Sequence, residues 1–359
     1  MPLSVENKEG DAMDWLSISL LIIMPVISFV LGCLFFYEWR KLYARMQLRR
    51  GPYFPARWYQ VFADVLKLLS KKPKVPENAR KRIFYFSPFF ALACVIISMW
   101  FIPVAGFSPF SKFSFSLIIV SYLLFGPPLS YILAGASSGS PYGSVGGKRE
   151  ALLTLAYEVP FILSLFSIAL LAGKVEIINS VPVLHGTLCI EDIVKIQTTR
   201  KLKVFGIVLP AWFLLINPFA AIAIFLTSIA KLHMKPFDIV EAEQEIVYGP
   251  LAEYSGWLLG LYKIESYIKL FLVSTLITDF FLAGGIIESI WLTPLLFIVV
   301  NAVIVFLWSI VCVVMPRYRP KDAFKWLLKY PLLISIIALI WSYLIYLPWF
   351  EIPFAQIIG

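Results

Sequence analysis

The sequence is poor in charge and in the residues that bind metals or form disulfides. Only 15% of its 359 residues are charged, and it has two histidines and four cysteines. The cysteines are widely separated: Cys33, Cys94, Cys189 and Cys312. They form no Cys-x-x-Cys pair, and neither histidine stands at a spacing that would complete a metal site. We therefore expect this chain to bind no metal and to carry no iron–sulfur cluster.

The sequence also lacks the alternating ten-residue segments of a membrane β-barrel, whereas long apolar runs are frequent. Hydrophobic residues make up 60% of the chain, and the mean hydropathy is +0.83. A soluble domain has an apolar share nearer one half. Several runs reach the roughly 20 residues that cross about 30 Å of hydrocarbon as a helix. The predicted fold class is therefore an all-α polytopic membrane protein.

The apolar runs predict eight transmembrane helices. They cover residues 15–37, 83–106, 115–135, 151–173, 206–230, 261–281, 291–315 and 326–347. Residues 1–14 and 350–359 are expected to be exposed tails of a single membrane domain over residues 15–349. Residues 58–70 have one apolar and one basic face at the helical period but are too few to span the bilayer, which predicts an amphipathic helix in the cytoplasmic membrane interface.

The net charge of +9 is unevenly distributed along the chain. Between residues 40 and 82 there are thirteen Lys and Arg against two acids. With that segment inside, the cytoplasmic connections carry twenty-one basic residues and the outer segments about seven. This bias predicts a multi-pass protein of the cell membrane. Both termini would lie on the outer side, because the number of spans is even. Basic residues beside spans are the ordinary mark of the cytoplasmic side, so no binding of nucleic acid is expected.

The Gly- and Ser-rich residues 135–149 superficially resemble a phosphate-binding loop. Arg149 stands where such a loop needs Ser or Thr, and Tyr142 stands where it needs its first Gly. We interpret the segment as a flexible cytoplasmic connection. No internal repeat is visible, so the inverted-repeat pattern of many transporters is not supported.

Ionisable residues within the spans are costly in a bilayer and are therefore candidate functional residues. Glu158 lies in the fourth span, where a hydroxyl such as that of Thr154 could hold a purely structural acid. Glu265 and Lys269 stand at i and i+4 in the sixth span with the acid first, the favourable order for an ion pair. Other ionisable residues are given no role, as solvated acids near the outer end or as isolated histidines: Asp279, Glu288, His185 and His233.

Five of the 22 acidic residues fall between residues 235 and 256. If residues 237–247 were helical, Asp238, Glu241 and Glu245 would share one face. Carboxylates on one face repel at neutral pH. The stripe is therefore either solvated by water and cations or lines a site where raised pKa values are useful. The charge pattern alone leaves both interpretations open.

Three segments resemble the H-type membrane subunit of respiratory complex I, a family that includes counterparts in archaeal membrane-bound hydrogenases and sulfane reductase-type complexes. The acidic stretch carries the most distinctive motifs: Pro236-Phe237-Asp238, Glu241-Ala242-Glu243, Glu245 and Glu253-Tyr254-Ser255-Gly256. The second segment contains Arg40-Lys41, Ala44-Arg45-Met46-Gln47-Leu48-Arg49 and Gly51-Pro52, followed by residues 63–69. The third is Tyr157-Glu158-Val159-Pro160. The outer segments and the last two spans match only generically.

Departures from the family pattern favour the hydrogenase-type branch. Trp39 stands where the family commonly has Glu before Arg-Lys, and the acid is displaced to Glu38. The loop after Gly51-Pro52 is shorter than in quinone-reducing members, and Gly249-Pro250 also resembles the hydrogenase-type branch. Quinone chemistry is therefore the alternative expectation.

The resemblance implies a non-catalytic membrane anchor of an ion-translocating redox complex. A peripheral electron-transfer arm would dock on it, and energy would pass through buried carboxylates to antiporter-like membrane subunits. Iron–sulfur clusters, and nickel–iron in hydrogenase-type members, would belong to the partner subunits. The implied ion path or cavity is lined by Glu158, Asp238, Glu241, Glu243, Glu245, Glu253, Glu265 and Lys269. The residues implied to face the peripheral arm or anionic headgroups are Arg40, Lys41, Arg45 and Arg49.

Three alternatives remain open from the sequence. The chain could form the quinone cavity of a quinone-reducing complex I. It could be a stand-alone secondary transporter that uses the same acids to bind its substrate or ion. It could also be a structural anchor with no part in ion movement.

Overall fold

A computed structural model describes residues 6–52, 58–110, 113–178, 181–204, 207–285, 292–345 and 355–358. This part of the chain is predominantly helical, which confirms the predicted fold class. Its helices are α1 (Glu6–Met46), α2 (Gln60–Leu69), α3 (Lys81–Phe101), α4 (Ser116–Leu123), α5 (Gly126–Ser137), α6 (Pro141–Leu171), α7 (Ile190–Thr199), α8 (Phe213–Ile216), α9 (Pro218–Lys231), α10 (Glu243–Ile246), α11 (Gly256–Leu282), α12 (Leu292–Val314) and α13 (Pro320–Leu344).

Short antiparallel strands accompany the helices. They are β1 (Lys174–Ile178), β2 (Val181–His185), β3 (Lys201–Val204), β4 (Ile207–Pro210) and β5 (Ala355–Ile358). Strand β1 pairs with β2, with Lys174 opposite His185, while β3 lies between β4 and β5. The hydropathy pattern did not predict these strands.

Seven stretches of the described chain are long and apolar enough to cross a membrane as helix, so the predicted count of eight is not confirmed. The difference lies in the predicted span over residues 206–230, which instead contains β4, α8 and α9. Helix α9 has 14 residues, or about 21 Å of helix, because Pro218 starts it inside the apolar run. Asn217 caps it by accepting a hydrogen bond from the Ala220 backbone N–H at 3.1 Å.

Helix α11 lies at the centre of the bundle and is buried almost throughout, as expected for a helix that is apolar all round. Helix α1 crosses it closely at Gly32, where a Cβ atom would lie 2.3 Å from the Tyr267 carbonyl oxygen. Small residues permit this approach between membrane helices. Helix α2 covers the same region with its buried Val61 and Val65. Its position relative to lipid remains a prediction.

The Gly-rich residues 135–149 are not the flexible connection that the sequence suggested. Helix α5 continues to Ser137, and α6 begins at Pro141. The glycines permit close packing: a Cβ atom at Gly135 would lie 2.3 Å from the Gly143 carbonyl oxygen, and one at Gly146 would lie 2.5 Å from Pro250. The composition reflects tight contact between backbones rather than mobility.

The basic segments converge at one end of the bundle, which we call the basic side. The backbone N–H of Trp257 donates to the Lys71 carbonyl oxygen, and that of Arg80 donates to Ser137. The loop after α12 joins the same end, because the Tyr318 N–H donates to the Pro236 carbonyl oxygen. The acidic stretch therefore lies on the same side as the basic segments, as the sequence predicted.

The acidic stretch is a folded loop rather than the helix considered over residues 237–247. Turns occupy residues 235–241, and α10 contributes a single helical turn. A short 3-10 helix, Gly249–Leu251, follows. With this backbone, the i, i+3, i+7 spacing of the acids no longer places them on one face.

Candidate functional site: a charged cavity and the ion pairs behind it

A cavity of about 890 Å³ lies on the basic side. Its volume is within the range of sites that hold small molecules. Aromatic side chains of α1 form one wall, namely Phe36, Trp39 and Tyr43. The remaining walls come from the acidic loop, from α11 and from the end of α12 with the residues after it. Its ionisable lining residues are His233, Lys235, Asp238, Glu241, Glu245, Tyr43, Tyr248, Lys263, Tyr267, Lys269, Tyr318, Cys312, Arg317 and Arg319.

Two acids of the loop are paired with cations from other segments. Asp238 accepts a hydrogen bond from the Arg317 guanidinium at 2.6 Å. Glu245 accepts one from Arg149 at the same distance, although nearly half of the Glu245 side chain remains exposed. Burial raises the pKa of Asp238, even though Arg317 acts in the opposite direction. The structure thus gives these acids separate cationic partners rather than a shared repulsive stripe.

The remaining acids of the loop differ in what the structure shows. Glu241 lines the cavity and is half-buried. Glu253 is also half-buried but does not belong to the cavity wall. The side chain of Glu243 lies outside the described part of the chain.

Behind the cavity, two acids of α6 are paired with residues at the end of α9. The Lys231 ammonium donates to Glu158 at 2.5 Å, and both side chains are buried. Lys231 also lies 4.5 Å from the centre of the Phe161 ring. Just after the end of α9, at the cavity wall, His233 Nε2 lies 3.0 Å from a carboxylate oxygen of the buried Glu150.

The pKa of His233 depends on that acid. Burial alone would lower the pKa of His233, but the Coulombic attraction and hydrogen bond of Glu150 outweigh it and raise the pKa. The Thr154 hydroxyl donates to the Glu150 carbonyl oxygen at 2.8 Å rather than holding Glu158. The structural alternative for Glu158 named a hydroxyl such as that of Thr154 as its partner. That partner is wrong, because Lys231 donates to Glu158 instead.

The predicted pair on α11 is present. Glu265 and Lys269 are both buried, and the Lys269 ammonium lies 3.2 Å from a Glu265 carboxylate oxygen. This contact is an ion pair without hydrogen-bond geometry, since the same oxygen has no hydrogen-bond partner among the described residues. Lys269 also lies 5.4 Å from the centre of the Tyr131 ring and reaches the cavity wall.

These pairs are electrostatically connected to one another. Lys231 interacts with Glu150 and Lys269 as well as with Glu158. His233 in turn interacts with Lys269 and with Glu241 in the cavity. The charged groups thus form a continuous series from the cavity into the bundle. We call this series, comprising Asp238, Arg317, Glu241, His233, Glu150, Lys269, Glu265, Lys231 and Glu158, the charged series.

Four members of the charged series were not among the predicted site residues: Arg317, His233, Glu150 and Lys231. From the sequence, Lys231 counts only among the basic residues of a cytoplasmic connection. His233 has no predicted role, and Glu150 is not a predicted site residue. Glu150 and Glu158 stand at i and i+8 on α6, which places them about two turns apart on one face, with Thr154 between them. A predicted fourth span that began at residue 141 rather than 151 would have included Glu150 and shown this polar face.

The candidate docking residues lie on the extension of α1 and on the loop after it. Arg40 lies 3.6 Å from Asp64 of α2, and both side chains are partly exposed. Lys41, Arg45 and Arg49 are exposed. The sequence placed the first span at 15–37 with a separate basic segment, whereas the structure continues α1 to Met46. Its last two turns thus present basic side chains beyond the apolar part of the helix.

Asp279 contradicts the expectation of a solvated acid. It is fully buried, and neither carboxylate oxygen has a hydrogen-bond partner in the described part of the chain. Glu288 and the backbone around it lie outside the described residues, as does the side chain of His185. Within the described ranges, no group of three or more His, Cys, Asp or Glu side chains is placed to hold a metal ion.

The apolar bundle and the charged series together define a polytopic membrane protein with buried ionisable residues behind a cavity. Comparison with known proteins identifies the family: the family model described as NADH dehydrogenase matches residues 18–343. The chain belongs to this family, and by that membership it is a membrane subunit of the H type found in complex I-related complexes.

The relatives match over most of the chain. The H-type subunit of NADH-quinone oxidoreductase from Thermomicrobium roseum is 31% identical over 76% of this chain and 80% of its own length. Its counterpart from Bartonella tribocorum is 29% identical over 92% of this chain and 97% of its own length. A chain of the membrane-bound sulfane sulfur reductase, an archaeal respiratory membrane complex, matches with a TM-score of 0.77. That match has 27% identity and covers 91% of this chain and 99% of that chain.

Proposed function

We propose that this chain is the membrane anchor of an ion-translocating redox complex and that the charged series relays energy from a peripheral electron-transfer arm. The observation that carries the proposal is a succession of close contacts from the cavity into the bundle. Glu241 and His233 both line the cavity, His233 lies 3.0 Å from Glu150, and Glu158 on the same helix lies 2.5 Å from Lys231. A protonation or redox event at the cavity would change the charge there and then the electrostatic energy of each ion pair in turn, since charges in a medium of low dielectric constant interact strongly. Antiporter-like membrane subunits would receive the change.

The docking surface in this proposal is the extension of α1 together with the loop after it, with Arg40, Lys41, Arg45 and Arg49 facing the peripheral subunits. Their exposure on the basic side, beside the cavity, supports this role. The peripheral subunits would carry the iron–sulfur clusters, with nickel–iron in a hydrogenase-type complex. In the cell membrane the basic side would face the cytoplasm. Both termini would then lie on the outer side provided that the short helix α9 serves as the eighth crossing.

The experiment compares Glu158→Gln and Glu241→Gln with wild type, because Gln keeps the shape of Glu and removes its charge. Native complex is placed in vesicles, and proton or sodium uptake is measured per electron transferred. Both variants are expected to lose ion uptake. Glu158→Gln also leaves the buried Lys231 without its partner, so the double variant Glu158→Gln with Lys231→Met, which leaves no unpaired charge, is tested beside it to separate lost uptake from lost stability. The control is Glu77→Gln, the same substitution at an exposed acid on the basic side. Unchanged uptake in both variants would favour a purely structural anchor instead.

A quinone-binding role remains the second candidate, because the cavity has a suitable volume and an aromatic wall formed by Phe36, Trp39 and Tyr43. A photoreactive quinone analogue tests it: labelling of these residues, competed by unlabelled quinone, would support quinone binding. Labelling confined to lipid-facing residues would count against it. A stand-alone transporter is disfavoured by family membership, and its prediction is ion transport by the isolated chain.

A further inference from the structure

Asp279 lies on α11 at the end away from the cavity. It is fourteen residues after Glu265, which corresponds to roughly 21 Å of helix. Both of its carboxylate oxygens are buried and have no hydrogen-bond partner in the described part of the chain. The Thr275 hydroxyl, one turn earlier on the same helix, is likewise buried and unpaired among the described residues. Two neighbouring polar side chains are thus left without described protein partners inside an apolar helix.

The backbone around this position is held firmly in place. The Gln197 side chain of α7 donates to the Asp279 carbonyl oxygen at 2.9 Å and accepts from the Ala283 backbone N–H at 3.1 Å. Ala283 ends α11 in the left-handed conformation, with φ of 54°. The site is therefore fixed by a specific cross-link to α7, while the carboxyl group makes no hydrogen bond within the described chain.

No charged group of the described chain balances Asp279. The face of α7 packed inward consists of Ile190, Ile193, Val194 and Gln197. The charged residues of α7 lie away from it: Glu191 pairs with Lys195, and Asp192 is exposed. Helix α8, which also packs against α11, carries only apolar side chains. The Asp279 carboxyl group forms no ion pair or hydrogen bond within the described part of the chain.

An ionised carboxylate in these surroundings would be strongly disfavoured, because burial without a cation or hydrogen bonds removes its solvation. The last turn of a helix adds to this, since the negative end of the helix dipole repels an anion. A neutral, protonated carboxyl group avoids both the loss of solvation and the repulsion by the helix dipole. Bound cations occupy similar positions, at helix ends inside the bundle, in membrane transporters.

We propose that Asp279, with Thr275 beside it, is a second ion-binding site of this chain, which holds a proton in the resting protein and exchanges it on the side opposite the cavity. This site goes beyond the proposed relay, which needs only the charged series on the basic side. It gives the chain an ionisable group in each half of α11, with the Glu265–Lys269 pair in one half and Asp279 in the other.

Infrared spectroscopy of the purified complex tests the binding itself. The wild type is expected to show a carbonyl band of a protonated carboxylic acid that Asp279→Asn removes. Asp322→Asn, the same change at an exposed position of α13, is expected to retain the band. Thr275→Val replaces a hydroxyl with a methyl group of similar volume and is expected to shift the band without abolishing it. This second variant keeps the test available if Asp279→Asn fails to assemble.

Ion uptake into vesicles tests the role. Asp279→Asn is expected to slow uptake at least about tenfold, as the loss of a positioned proton-transfer group does, and Asp322→Asn is expected to leave it unchanged. A wild-type spectrum without the band, or a band that survives in Asp279→Asn, would overturn the assignment. A band that appears only when sodium is withdrawn would show that the site holds sodium instead. If Asp279→Asn removes the carbonyl band but takes up ions at the wild-type rate, the exchange role is refuted. Unchanged uptake in Glu158→Gln would count against the relay but leave the carboxyl band unaffected.

Discussion

The buried pair of Lys231 and Glu158 gives the sharpest prediction about stability. Their charged atoms lie 2.5 Å apart, and the side chains are 0% and 8% exposed. At an effective dielectric constant of about 20, two unit charges at this distance attract by roughly 6–7 kcal/mol. Most of this offsets the several kcal/mol that each ion loses in hydration on burial. The pair as a whole is therefore close to neutral, whereas either charge left alone is costly.

Lys231→Met removes the cation and keeps an apolar chain of similar length. We expect it to destabilise the chain by about 3–5 kcal/mol, because Glu158 is then buried without its partner. Loss of the contact between Lys231 and the Phe161 ring, 4.5 Å away, is included in this range and contributes about 1–2 kcal/mol. The double variant Glu158→Gln with Lys231→Met leaves no unpaired charge and should recover most of the loss.

Thiol labelling provides the assay. All four cysteines of the chain are buried thiols that form no disulfide. A maleimide reagent that shifts the band of this chain on a gel therefore reports its unfolding within the intact complex as temperature is raised. Lys231→Met should become labelled at a clearly lower temperature than wild type, and the double variant at an intermediate or near-normal one. If the single variant is as stable as the double variant, the two charges do not depend on each other and the reasoning is refuted.

Three further predictions use the same labelling assay. The pKa of His233 is raised in the folded protein, so its pair with Glu150 stabilises the fold fully below the ordinary histidine pKa and less as pH rises through the raised value. His233→Gln should therefore differ from wild type in unfolding temperature more at pH 6 than at pH 9. An equal difference at the two pH values would contradict the pairing. Gln197→Leu should cost about 1–3 kcal/mol for each buried backbone group left unpaired, with Thr198→Val at the partly exposed neighbouring position as control. Gly146→Ala should lower the free energy of unfolding by about 1–3 kcal/mol, because its Cβ atom would lie 2.5 Å from Pro250. Unchanged stability would show that Pro250 moves aside at no cost.

Local patterns in the sequence determined much of the architecture. Membrane spans depend on runs of apolar residues that must cover a fixed thickness, so their existence is visible without the fold. The Glu265–Lys269 pair is also a local feature, since residues at i and i+4 face each other on any helix. The order of motifs in the acidic stretch identified the family because it does not depend on how that stretch folds.

Only the tertiary structure decided which charges meet. Glu158 and Lys231 are 73 residues apart in the chain, and no periodic rule relates α6 to the end of α9. The same holds for Asp238 with Arg317 and for the burial of Asp279, which depends on the neighbours that α7 and α8 supply. Residues 237–247 do not form the helix that would have placed Asp238, Glu241 and Glu245 on one face, but the folded loop still brings all three to the cavity wall. Side chains separated by a few residues are related by backbone geometry, whereas distant ones meet only through the packing of whole helices.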